Sequence, residues 1–215
     1  MLFLLDAQSR SGINAGDLNF VDNASRFFRL CAGTQIRLAP EITVHLGKSL
    51  KEHILAAGCP RVGILPLLNA LRKLQPNREH VTPLHADFFQ VCLLSKVYNA
   101  AHEVLLDDIF DVDPHTTCMT PTDLFSYCYY GGMLAAGSKM YSRALELLMQ
   151  ALTAPAVVAN AIVLAAYKKL ILISLIHSGK SISLPKFTSA RVKYLLESRW
   201  QGVSRAEYCL PNTRS

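Results

Sequence analysis

Two stretches of this 215-residue chain space glycine and lysine almost as a phosphate-binding loop does. The first is Gly132-Met133-Leu134-Ala135-Ala136-Gly137-Ser138-Lys139. Its glycines are correctly spaced, but serine precedes lysine. The lysine must directly follow the second glycine to fold back onto the phosphates. The second is Ser174-Leu175-Ile176-His177-Ser178-Gly179-Lys180-Ser181. Gly-Lys-Ser is in order there, but Ser174 replaces the first glycine. Pro185 then interrupts the helix whose amino end would carry the phosphate. A turn between helices accounts for both stretches better than nucleotide binding does.

Other reactive side chains lack a working arrangement. The acidic cluster Glu103, Asp107, Asp108, Asp111 and Asp113 has no alternating D-x-D-x-D-G loop for Ca²⁺ and reads as a solvated or partner-facing helix end. Seven histidines, at 45, 53, 80, 85, 102, 115 and 177, form no H-E-x-x-H or H-x-x-x-H pair, so zinc hydrolysis has no ligand set. His177, closing an apolar helix, suits the negative end of the helix dipole. No G-x-S-x-G elbow occurs. Spacing does not exclude a Cys/His nucleophile pair, but nothing favours one. Cys31, Cys59, Cys92, Cys118, Cys128 and Cys209 include no C-x-x-C, and most lie among apolar residues, as buried free thiols in a reducing compartment do. The expectation is no catalytic, cofactor-binding or metal-binding residue.

The elements that would hold any site are helical. Hydrophobic residues make up 51% and charged residues 18% of the chain, a globular composition. Tyr141, Ala144, Leu145, Leu148, Met149 and Leu152 fall on one helix face, with Lys139, Ser142, Arg143, Glu146 and Gln150 opposite. Leu124 to Ala136 is apolar all round and predicts a central helix, in which Gly131 and Gly132 admit a close neighbour. Thr82-Pro83 and Thr122-Asp123 predict helix starts, as do Pro60 and Pro155. Loops are expected near 12–16, 75–80 and 113–122. The apolar run from Ala156 to Ile176, broken by Lys168 and Lys169, falls short of a membrane span and predicts a buried helix. The short apolar start of the chain has no basic flank and does not read as a signal peptide.

A 43-residue shift superposes Lys96, Tyr98, Ala101, Glu103 and Leu105 on Lys139, Tyr141, Ala144, Glu146 and Leu148. Gly132, Ala144, Leu148 and Ala151 sit at tetratricopeptide-like offsets, although that family's period is about 34. The reading is a looser helix-pair solenoid that offers an extended surface to partners. A chance match of two amphipathic helices is the alternative. Charge is uneven: residues 1–96 carry +4, residues 97–138 carry −6 with no Lys or Arg, and residues 139–215 carry +8. Opposed charge along one chain suits protein neighbours. Nucleic acid is the rival reading of the basic end, but its basic residues are scattered without aromatic interleaving or a known motif.

Several ordered segments carry a family resemblance. They are Leu84-His85-Ala86-Asp87, Cys92-Leu93-Leu94-Ser95-Lys96, Tyr127-Cys128-Tyr129-Tyr130-Gly131-Gly132-Met133, Arg143-Ala144-Leu145-Glu146, Ala166-Tyr167-Lys168-Lys169 and Leu184-Pro185-Lys186-Phe187-Thr188-Ser189. Together they resemble the subunit-three family of the COP-nine signalosome over roughly residues 20–190. Gln35-Ile36-Arg37-Leu38-Ala39-Pro40-Glu41 and Leu106-Asp107-Asp108-Ile109-Phe110 look most like its plant members.

The resemblance implies an all-α, tetratricopeptide-like helical-repeat solenoid, the N-terminal part of a PCI-type subunit that ends in a winged helix. It implies a helical-repeat domain over 1–190 and a divergent, poorly ordered tail over 191–215, with the winged helix missing. It also implies a non-catalytic scaffold that supports removal of the ubiquitin-like modifier Nedd-eight from cullin-RING ubiquitin ligases. The isopeptidase of that complex is a different, zinc-dependent subunit. The implied partners are other signalosome subunits and, indirectly, cullin-RING ligases, with no nucleic acid, membrane, small-molecule substrate or cofactor. The implied location is nucleus and cytoplasm, and the plant role is light-regulated development. A related PCI-type subunit of the proteasome lid or of a translation initiation factor is the alternative.

Overall fold

In the computed structural model, residues 1–10, 16–107, 111–154 and 161–180 are described, together with Ile182, Leu184, Thr188 and Lys193. The expected start at Pro155 and all of the expected 191–215 tail except Lys193 lie outside them. Every extended element among the described residues is helical: α1 (Leu2–Arg10), α2 (Leu18–Leu30), α3 (Gly33–Leu38), α4 (Pro40–Ala56), α5 (Ile64–Leu74), α6 (Pro83–Leu94), α7 (His102–Leu106), α8 (Pro114–Thr117), α9 (Pro121–Gly137), α10 (Tyr141–Thr153) and α11 (Ala161–Ser178). Single 3₁₀ turns, Pro60–Gly63 and Tyr98–Ala101, lead into α5 and α7. One isolated parallel bridge joins His80 and Asp111.

Local chemistry sets the starts. Thr82 caps α6, with Pro83 in its first turn and the His85 ring reaching back to the Thr82 amide. The start of α9 lies two residues before the expected Thr122-Asp123. Thr120 is its N-cap, Pro121 opens the helix, and Asp123 closes a capping box on the Thr120 amide at 3.2 Å. The expected 113–122 loop therefore contains the single turn α8 as well as the head of α9.

The helices stack as successive pairs, α1–α2, α4–α5, α6–α7 and α9–α10, followed by α11. Among first helices, α1 packs on α4, α4 on α6, α6 on α9, and α9 on α11. Among second helices, α2 packs on α5. The pairs share one turn. The Lys96 amide donates to Leu93 O and the Val97 amide to Cys92 O. Lys139 and Met140 repeat this on Ala136 and Ala135, and Gly58 and Cys59 on Leu55 and Ile54. The middle residue of each turn is left-handed, at φ 68° for Gly58, 58° for Lys96 and 61° for Lys139. This is the Schellman ending, in which a residue with positive φ returns two amides to the last carbonyls of the helix.

The core matches the predicted helix in type and differs in detail. Ala144, Leu147, Leu148, Ala151 and Leu152 of α10 are buried, while Leu145 and Met149 are half-buried. Helix α9 is central, packing on α6, α10 and α11. A Cβ on Gly132 would lie 2.7 Å from Leu148 Cγ, and one on Gly131 would lie 3.1 Å from the Phe89 ring. The two glycines thus set the spacing of α9 to α10 and α6. Helix α11 corrects an expectation. By length and composition it is apolar enough to cross a membrane, and only one side is buried: Val163, Ala166, Leu170 and Ile173 face the stack, whereas Leu172 and Ile176 are exposed.

Candidate protein-interaction surface

The side chains that could do chemistry are used in holding helix to helix. On the row of first helices, Lys51 of α4 reaches Asp87 of α6 at 2.7 Å, and Lys48 reaches Asp123 of α9 at 2.9 Å. Burial pushes the Asp87 carboxyl up, while the Lys51 ammonium pulls the other way. On the row of second helices, Arg72 of α5 bonds Asp107, just beyond α7, at 2.5 Å. Arg78 lies 3.2 Å from Glu103 of α7. Arg143 of α10 donates to Leu105 O at 3.1 Å and to Asp107 O at 2.9 Å. His80 lies 3.1 Å from Asp111. The acidic cluster is solvated in part, with Glu103 and Asp111 exposed, while the Asp107 side chain is mostly buried against Arg72. Arg72 and Arg78 pair with the Glu103 and Asp107 carboxylates, and Arg143 of the following second helix ties the same segment through its backbone carbonyls, which links three successive pairs. Asp108 lies outside the described residues.

His85 is wholly buried between the Thr82 amide, 3.0 Å from Nδ1, and the Gln75 amide nitrogen, 3.1 Å from Nε2. A neutral ring can accept from one of them at a time. Burial lowers its pKa to about 3; the Thr82 backbone hydrogen bond opposes this and the Arg72 charge reinforces it. The ring is thus a neutral core linker. The other histidines are dispersed: His45 lies 2.7 Å from Asp6, His53 accepts from the Gly16 amide, and His177 lies against the Tyr141 ring. No three His, Cys, Asp or Glu side chains cluster as metal ligands among the described residues.

Only part of the cysteine expectation holds. Cys92 and Cys128 are buried, and burial pushes both thiols up to about 12. Cys59 is exposed, and Cys31 and Cys118 are half-buried.

Among the described residues, neither loop resembling a phosphate site has the geometry of one. Gly132 lies inside α9, and Lys139 is the left-handed residue after its carboxyl end. Gly179 and Lys180 follow the carboxyl end of α11, and Ser174 Oγ donates back to Lys180 O. Both lysines sit where helix carbonyls point outward, the end that repels phosphate.

What remains available is surface. Helices α2 and α5 leave a groove of about 410 Å³ between them, bordered by exposed Leu18, Val62 and Leu65. At the far end of the stack α11 exposes Leu172 and Ile176. Sequence reading missed the groove, because the residues that meet there come from two helices more than 30 residues apart.

A stack of helix pairs with charge-clasped rows is a helical-repeat architecture, and such stacks present an extended surface. Residues 1–192 match the family described as COP9 signalosome complex subunit 3, N-terminal helical repeats. The chain belongs to this family. Among curated relatives, the COP9 signalosome complex subunit 3 of Arabidopsis thaliana is 47% identical over 166 residues, 77% of this chain and 37% of that protein. The protein of the same name from Dictyostelium discoideum is 35% identical over 181 residues, 83% of this chain and 43% of that protein. The chain thus spans less than half the length of these relatives. The subunit 3 repeats are the pairs described above, so the segments that carried the resemblance can be placed: Cys92–Lys96 and Tyr127–Met133 lie at the Schellman turn of α6 and in the glycine contact of α9.

Proposed function

We propose that this chain is a helical-repeat scaffold piece of the signalosome, binding other subunits without performing catalysis. In this reading residues 1–190 form the repeat domain and 191–215 a divergent tail. The chain supports removal of Nedd-eight from cullin-RING ligases indirectly, in nucleus and cytoplasm, and in plants serves light-regulated development. The observation that carries the reading is the family match across residues 1–192. The stacked pairs agree with it, since their recurring turn and clasped rows build a long surface, and no metal-ligand cluster forms among the described residues. Both named relatives carry the signalosome subunit name, which favours this complex over the proteasome lid or an initiation factor.

The test is affinity capture of the tagged full chain from Arabidopsis extract, with co-captured proteins identified by mass spectrometry. Recovery of other signalosome subunits above a tag-only control is expected. Recovery of none of them overturns the reading. Nucleotide binding by the parent chain that Lys180→Ala removes would overturn its non-catalytic part.

A further inference from the structure

We infer that the groove between α2 and α5 is a docking site for an acidic amphipathic helix of a partner protein. Leu18, Asp22, Ser25, Arg26 and Arg29 line one wall at helical spacing along α2. Val62 and Leu65, from the 3₁₀ turn and the head of α5, line the other. Three large apolar side chains are presented to solvent there: Leu18 is 63%, Val62 55% and Leu65 70% exposed. Single exposed apolar residues are ordinary, but a contiguous set beside a groove marks a binding surface.

Charge selects the occupant. Lys48, Lys51, Arg72 and Arg78 each pair with an acid on a neighbouring element, and Arg143 pairs with Glu146 within α10. Arg26 and Arg29 are exposed on the groove wall, and neither has an acidic partner within salt-bridge distance among the described residues. Arg61, exposed next to Val62, is likewise unpaired. Asp22 is the one acid on that wall. Among the acids of the 97–138 segment, Glu103, Asp107, Asp111 and Asp123 are engaged with Arg72, Arg78, His80 and Lys48, so none of these four is the counter-charge of the groove. An incoming helix with Leu, Met or Phe at i, i+3, i+4 and i+7 would seat these in the groove and set Asp or Glu along its edge against the guanidinium groups. This goes beyond membership of an assembly and is tested without one.

The probe is a labelled synthetic helix of about 18 residues, long enough for five turns. It carries Leu on one face and Glu along the edges; a control has the same Leu face and Lys edges. Fluorescence anisotropy with the purified full chain is expected to show binding to the Glu peptide at least about tenfold tighter than to the Lys peptide, and a preference that falls towards none in about 0.5 M salt. Leu65→Glu should weaken Glu-peptide binding by about tenfold or more, and Arg26→Glu with Arg29→Glu should reverse the preference. All three positions are exposed, so circular dichroism should show the parent fold. Equal binding of the two peptides, or Leu65→Glu binding like the parent, overturns the inference. So does a parent dimer that Leu65→Glu dissolves, since a second copy would then fill the groove. Failure of the extract capture with success here would fault the signalosome reading and leave this one standing.

Discussion

Lys96 and Lys139 stand 43 residues apart and occupy the same left-handed position, at φ 58° and 61°, after α6 and α9. Gly58 holds the equivalent place after α4, at φ 68°. A lysine there crowds its Cβ against the following carbonyl, which disfavours the conformation by about 1–2 kcal/mol. Glycine relieves this but loses more chain entropy on folding, about 0.5–1 kcal/mol. Lys96→Gly and Lys139→Gly are each expected to stabilise the fold by about 0.5–1 kcal/mol net. Urea midpoints check this; a drop in either midpoint would mean the exposed lysine stem contributes more than the strain removes.

Gly132 and Leu148 give a prediction of opposite sign. A Cβ at position 132 would meet Leu148 Cγ at 2.7 Å and Ala144 O at 3.4 Å. Both belong to α10, whose backbone approaches α9 on the side that lacks a side chain. Gly132→Ala gains helix propensity but must push α10 away, so a net loss of about 1–3 kcal/mol is expected. At Gly131 the nearest atoms, at 3.1 and 3.2 Å, are the ends of Phe89 and Leu147, which can yield. Gly131→Ala should therefore cost less than Gly132→Ala. Thermal melts of the two variants rank them, and the reverse order would refute the packing account.

Much of this architecture was legible in the residues, for definite reasons. The match of Lys96–Leu105 to Lys139–Leu148 exposed the repeat because the turn, the aromatic and the small alanine recur together. The matching turn at Gly58, within the α4–α5 pair, went unseen, since its spacing to Lys96 is 38 residues and glycine replaces lysine. The start of α9 was misplaced because Thr122-Asp123 also looks like a cap, whereas Thr120 precedes the proline that fixes the first turn. Helix α11 read as buried because its apolar residues surround it; which side meets α9 and α10 is a tertiary fact. Likewise the partners of Glu103 and Asp107 went unseen because Arg72 and Arg78 lie 25–35 residues earlier in the chain.

His85 makes the fold acid-sensitive. Its pKa is about 3 when folded against 6.5 for a free histidine. Between these values the unfolded chain binds a proton that the folded chain refuses, so stability falls as pH drops below about 6.5 and is unaffected by this group above it. By pH 5 the loss from His85 alone is about 2 kcal/mol. Asp87 works the other way, because its raised pKa lets the folded state take up a proton more readily than the unfolded one. Urea titrations at pH 7 and pH 5 should show the parent losing stability, and His85→Gln losing less over the same interval. Equal losses would mean the acid sensitivity lies elsewhere.

The Lys51–Asp87 pair should be severe to break and mild to replace. Asp87 is buried, its Oδ2 has no hydrogen-bond partner, and Lys51 satisfies Oδ1 at 2.7 Å. Lys51→Met strands the carboxylate, and a loss of about 2–4 kcal/mol is expected, towards the lower end because Lys51 retains some solvent contact. Adding Asp87→Asn removes the uncompensated charge and should restore most of that loss. A double variant no better than Lys51→Met would show that the lysine stem, and not the charge, holds α4 to α6.

Helix α11 closes the described stack with an apolar face that no described element covers. Leu172 is 54% and Ile176 67% exposed. At the opposite end of the described stack, Phe3 and Leu4 of α1 are 69% and 72% exposed. Two different apolar faces at the ends of one rod favour head-to-tail contacts, which do not close on themselves and grow with concentration. Light scattering should therefore show a mass that rises with protein concentration. Leu172→Lys with Ile176→Lys should shift it towards the monomer without altering helicity, since both side chains point away from α9 and α10. A parent chain that stays monomeric at high concentration would mean these faces are too small or too well separated to associate alone.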